Sequence, residues 1–158
     1  MFESERRAIL RAAGVPESIA ADWDATTQRL LCIAYASSNQ HVADLLATEI
    51  PELTGIAAIF EQNGEAVIGY LPRSNEFVRF YYEDGLDGGD AISVLGNGYQ
   101  QFAASILLEY VESALMDKCL PLSSILGFDA TAEFMDILNA EPYDRQAMQS
   151  FHASLAVS

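Results

Sequence analysis

Bases are scarce in this sequence. Eight lysines and arginines stand against 23 aspartates and glutamates in 158 residues, a formal net charge of −15. A surface so one-sided is repelled by phosphate backbones, which excludes direct nucleic-acid binding, and by anionic lipid headgroups, which argues against a membrane role. Cysteine is nearly absent. Cys32 and Cys119 lie far apart, with no CxxC and no histidine at ligand spacing. Each sits in an apolar helical context, so both are expected to be buried free thiols. Long hydrophobic runs are missing too. The best candidate, "FAASILLEYVESALM", is broken by Glu109 and Glu112 and is too short to cross a bilayer. The opening "MFESERRAILRAAG" is charged at once, unlike a signal peptide. Repeats, low-complexity tracts and linkers are absent. A soluble, cytoplasmic protein of one domain, residues 1–158, is expected.

What is present is a core and a pattern. Hydrophobic residues make up 51% of the chain and aromatics 10%, far from the composition of a disordered polypeptide. The first third reads as helical. Residues 3–13 form a short helix closed by Gly14, with Arg6, Arg7 and Arg11 interrupting its apolar positions, and Pro16 begins the next element. A second helix runs from Asp22 to Ala36, with Asp22 or Asp24 as its cap. A third, "QHVADLLATEI", places Val42, Leu45, Leu46 and Ile50 on one face and ends at Pro51.

The period then changes. "GIAAIFEQ" and "EAVIGYL" are β-like runs joined through Asn63-Gly64, a pair suited to the two positive φ angles of a type I′ hairpin. "FVRFYYE" follows, with Val78, Phe80 and Tyr82 on one face and Phe77, Arg79 and Tyr81 on the other. "AISVLG", residues 91–96, completes an antiparallel meander of three or four strands. Residues 98–118 carry the broadest apolar stripe, from Phe102 through Ile106, Leu107, Tyr110 and Val111 to Ala114 and Leu115. Two further helices follow Asp129, an N-cap, and Pro142. Helices (1–52), meander (53–96) and helices (97–158) make an α+β domain.

Candidate chemistry is thin. The segment "EDGLDGGD" holds Glu83, Asp84, Asp87 and Asp90, and from Glu83 to Asp144 there are 12 acids against one base, Lys118. A calcium loop of the EF-hand type fails here. Counted from Asp84, the third, fifth and twelfth positions are Leu86, Gly88 and Leu95, none with a side-chain ligand. A turn-rich loop, a partner-facing acidic loop and an irregular cation site remain as readings. Asp84 and Asp87 share one kind of environment, so nothing separates them into acid and base. His41 and His152 are isolated. Lys118 beside Cys119 is a faint signal for a thiolate, and "GNG" at 96–98 reads as a strand-to-helix turn lacking the lysine of a phosphate loop. Neither a catalytic residue, a metal ligand nor a cofactor is expected.

One stretch, "FVRFYYEDGLDGGDAISVLGNGYQQFAASILLEYVES", resembles the SUKH superfamily, largely bacterial immunity proteins against polymorphic toxins together with a fungal regulator of cell-wall synthesis. An aromatic strand, an acidic turn and a short strand ending in Val94-Leu95 lead into Tyr99, Gln100, Gln101 and Phe102, then Ile106 and Leu107. The hairpin "GIAAIFEQNGEAVIGYL" matches the preceding strands of that family, and the likeness covers roughly residues 53–115. The resemblance implies a non-enzymatic immunity protein that neutralises a cognate toxin by direct binding, a role the acidic charge suits if the toxin is basic. Glu83, Asp84, Asp87 and Asp90 would make the contact, with Tyr81 and Tyr82 as anchors where exposed. A small acidic secretion chaperone, dimeric and with apolar grooves for an effector, is the alternative. Monomer and homodimer both remain open.

Overall fold

The computed structural model describes residues 1–82 and 92–157. Five strands form one antiparallel sheet in the order β1-β2-β3-β4-β5: Ala36–Ser37, Ala57–Gln62, Ala66–Leu71, Glu76–Tyr81 and Ile92–Asn97. Before β1 come helices α1 (Glu3–Ala12), α2 (Glu17–Ala20) and α3 (Ala25–Leu31), and between β1 and β2 lie α4 (Gln40–Glu49) and a 3-10 turn (Pro51–Leu53). After β5 follow α5 (Tyr99–Glu112), α6 (Met116–Leu126), α7 (Thr131–Leu138) and α8 (Arg145–Ser154). The architecture is α+β, as expected, with one strand more than the pattern showed. That strand is two residues long, too short for any alternation to be visible, and it takes Ala36, the last residue assigned to the second helix. Asp24 is the cap of that helix, its carboxylate accepting the Thr27 amide at 2.7 Å, and the helix stops at Leu31.

The hairpin forms as its sequence dictates. Asn63 and Gly64 take φ of 49° and 71°, and the Glu65 amide closes the turn onto the Gln62 carbonyl at 2.8 Å. Both faces of the sheet are then covered. Ala58, Val67, Val78 and Phe80 face α4 and the 3-10 turn, meeting Ala43, Leu53 and Ile56. The other face carries Ile68, Tyr70 and Phe77 towards α1, α3, α5 and α6, where Leu10, Leu31, Phe102, Leu107 and Leu122 fill the larger core. A bulge between Ala58 and Phe60 turns both Ile59 and Phe60 into that core. Phe77 stacks on Phe102 with ring centroids 4.6 Å apart. Gly96 permits this approach of β5 to α5: a Cβ there would stand 2.5 Å from the Phe102 nitrogen.

Arg6, an interruption in the amphipathic pattern of α1, is 4% exposed. Its guanidinium donates to the carbonyls of Ala58 at 2.8 Å and Ala20 at 2.7 Å and to both oxygens of Glu3, so one cation ties α1 to β2 and to the end of α2. The Arg6 hydrogen bond, opposed by partial burial and aided by Arg7, lowers the Glu3 carboxyl to about 2.

The long apolar stripe does not make one helix. It breaks after Glu112, where Ala114 takes φ 59°, its amide reaching the Val111 carbonyl at 3.1 Å while the Leu115 amide reaches Tyr110 at 2.8 Å. This paired closure is the Schellman motif, which favours glycine at the left-handed position. A new helix, α6, then carries Pro121 within it. Asp129 is not a cap either: Ala130 holds that position, and the Asp129 amide donates to the Gln100 side chain at 2.8 Å. Cys119 is buried as expected, but Cys32, at the exposed end of α3, is not.

Two predictions follow from these constraints. Ala114→Gly relieves a left-handed alanine whose side chain is exposed, and should raise stability by about 1 kcal/mol in urea unfolding; a fall would show that α5 does not end this way. Because the Glu3 carboxyl is depressed from 4.5 to about 2, its contribution is complete above pH 4.5 and is lost as pH falls towards 2. Glu3→Gln should therefore flatten the urea midpoint across that acid window.

Candidate functional site

At one end of the sheet the β2–β3 turn and the last residues of β4 come together. Strand alternation sends Arg79 to the α5 side, where it is 9% exposed. Glu109 of α5 accepts one hydrogen bond from the Arg79 guanidinium and another from the hydroxyl of Tyr35, which stands just before β1. Burial works against the Arg79 charge, but the Glu109 hydrogen bond and charge outweigh it, and its pKa is raised. Burial, then the Glu109 charge, pushes the Tyr35 phenol upward as well, so it stays a neutral donor. Tyr81, two residues along the same face, lies with its ring centroid 5.8 Å from the Arg79 guanidinium carbon.

Tyr82 takes the opposite face. It is half-buried against the smaller core, and its amide donates to the Glu65 carbonyl at 2.8 Å. Its hydroxyl is buried with no hydrogen-bond partner among the described residues, and burial, with the nearby charge of Glu61, pushes it up to about 12. Of the six residues proposed from sequence as partner contacts, Tyr81 and Tyr82 are thus placed at this sheet end, on different faces and both half-buried. Tyr82 turns its polar tip inward, leaving it poorly suited to offer a hydroxyl to a partner. Glu83, Asp84, Asp87 and Asp90 lie outside the described residues.

The structure adds two acids to this end, half-buried Glu61 and exposed Glu65, on either side of the hairpin turn. Their position follows from the Asn63-Gly64 signal, because a tight hairpin must set its flanking residues beside the end of the next strand. The Arg79–Glu109–Tyr35 cluster had no local signature; it needs α5 to be laid across β4.

The remaining chemical candidates resolve into structural contacts. His152 approaches Ser105, its Nε2 lying 2.7 Å from Oγ. The Ser105 hydroxyl donates to the Leu95 carbonyl at 2.5 Å, so the ring nitrogen carries the proton and the serine accepts it. That polarity is the reverse of a base activating a nucleophile, and burial lowers the pKa of His152, keeping the ring neutral. Lys118 gives Cys119 no activation: its ammonium pairs with Asp117 at 2.8 Å, while burial, then Asp117, push the thiol up to about 11. Gly98 opens α5 with φ 98°, and the C-terminal Val157 packs against it. Among the described residues no three histidine, cysteine or acidic side chains converge as a metal site, and no helix is long and apolar enough to cross a membrane.

Comparison with known proteins finds no matching family model, no similar curated protein and no similar solved structure.

The two halves of the sheet-end site should respond oppositely to mutation. Glu109→Ala strands a buried guanidinium and should cost about 3 kcal/mol in urea unfolding. Tyr82→Phe deletes a buried hydroxyl that has no partner among the described residues and should leave stability unchanged or raise it. Equal losses would contradict this geometry.

Proposed function

We infer that this chain is a non-catalytic binding protein that captures a basic protein. The observation carrying this reading is the disposition of its few bases. Arg6 and Arg7 are held by Glu3, Arg11 by Glu17, Arg79 by Glu109, Lys118 by Asp117, and the N-terminal ammonium by Asp44. Internal pairs therefore consume most of the positive charge. Glu61, Glu65, Glu112, Glu133, Asp136 and Glu141 have no basic partner among the described residues. An uncompensated field of this sign steers cationic proteins and speeds their association.

Within that class, an inhibitor of a basic toxin is the reading we favour, as the SUKH likeness of residues 53–115 implies. An enzyme that acts on nucleic acid must present a cationic surface, and a strongly acidic protein competes for that surface. The sheet end supplies the contact: Glu61 and Glu65 flank the turn, Tyr81 offers a ring already engaged by a cation, and the acids from Glu83 to Asp90 follow directly in sequence. The secretion-chaperone alternative draws on a separate feature, an apolar groove among the C-terminal helices.

Affinity capture from the native cell, followed by rapid-mixing kinetics with the captured protein, tests the assignment. Neutralising Glu61, Glu65, Glu83, Asp84, Asp87 and Asp90 as amides should slow association by about an order of magnitude. An unchanged on-rate would remove the sheet end from the account, and an acidic captured partner would end it.

A further inference from the structure

The C-terminal helices enclose a half-open cavity of about 610 Å³, inside the range of about 300–1,000 Å³ typical of small-molecule sites. Helices α5 and α8 run antiparallel along it. Val157, past the end of α8, packs on Gly98 at the start of α5, and the His152 ring meets Ser105 at 2.7 Å. Beyond that contact Arg145 and Met148 of α8 share the cavity with Leu108, Val111 and Glu112 of α5. Burial grades the lining. Leu138 and Met148 are buried and make its floor, Leu108, Val111 and His152 are half-buried, and Glu112 and Arg145 are exposed at its rim. Neither rim charge has an ion-pair partner among the described residues, and the two do not pair with each other. One apolar cavity is thus bordered by one unpaired acid and one unpaired base.

We propose that this cavity binds a free α-amino acid with a large apolar side chain. Its ammonium meets Glu112, its carboxylate meets Arg145, and its side chain lies among Leu108, Val111 and Met148. Such a ligand is independent of the basic-partner reading and adds a small-molecule site to the chain. Charge complementarity selects the zwitterion. A simple carboxylate satisfies Arg145 but faces Glu112 and approaches against a net charge of −15. A simple amine satisfies Glu112 but meets like charge at Arg145. A zwitterion answers both rim charges and is neutral overall, and each of its ends makes a charge-assisted hydrogen bond, roughly twice as strong as a neutral one. The apolar floor then takes the side chain out of water. Met116 and Met148, both lining the cavity, supply flexible thioethers that adapt to branched or aromatic side chains.

NMR titration of the full chain provides the test. L-phenylalanine is the probe, and two analogues are the controls: hydrocinnamate, which lacks the ammonium, and phenethylamine, which lacks the carboxylate. L-phenylalanine should shift the Leu108, Val111 and Met148 signals saturably and bind at least about tenfold tighter than either analogue. Glu112→Gln should weaken L-phenylalanine by about tenfold without weakening hydrocinnamate, and Arg145→Gln should weaken it by about tenfold without weakening phenethylamine. Both substitutions fall at exposed positions without ion pairs, and the retained analogue binding reports that each variant is folded. No saturable shift at millimolar L-phenylalanine would overturn the site, as would shifts that spare those three residues. Equal affinity for either analogue, or full L-phenylalanine binding by either variant, would overturn the zwitterion. All of these results leave the basic-partner reading standing, since that reading is decided by association kinetics.

Discussion

The guanidinium of Arg79 lies between the sheet and α5, nine-tenths buried, with Glu109 as its acid partner. A cation in that position is tolerated only because a carboxylate and a tyrosine hydroxyl complete its surroundings, and separating the pair would leave a charge in low dielectric. The same constraint governs Arg6, whose donors are satisfied by Glu3 and by two carbonyls of distant segments. In a chain with eight bases, the exterior is left with a surplus of carboxylates over a few exposed arginines, Arg29, Arg73 and Arg145, that have no acidic partner among the described residues.

The pairs that fasten α1 to β2 and α5 to β4 each take up one base and one acid, and the net charge of −15 is carried by the carboxylates that remain. At the hairpin end of the sheet, Glu61 and Glu65 supply negative charge beside the strand end that carries Tyr81.

Much of the architecture was legible because it is written locally. The Asn63-Gly64 pair specifies its turn, the alternation in "FVRFYYE" separates Phe77 and Arg79 from Val78 and Phe80, and the stripe of α5 points at the core. What could not be read depends on contacts between distant segments. Two residues, Ala36 and Ser37, become a strand because β2 offers them an edge. Ala114 ends α5 in a left-handed conformation that alanine does not advertise, and Arg6 is buried although charged side chains on a helix usually mark its solvent face. The candidate site divides in the same way. The strand pattern places Tyr81 and Tyr82 on opposite faces, and Glu61 and Glu65 follow from the hairpin, but the Arg79–Glu109–Tyr35 cluster and the groove among the C-terminal helices exist only once α5 has been placed against β4 and α8.

The ionic-strength dependence of association between the unaltered chain and its captured partner tests the central claim most directly. If the unpaired acids recruit the partner, the on-rate must fall steeply as salt rises through the range in which the screening length shrinks to about 10 Å and below. An on-rate that stays flat across that range would show that the negative exterior serves only to keep the protein dissolved.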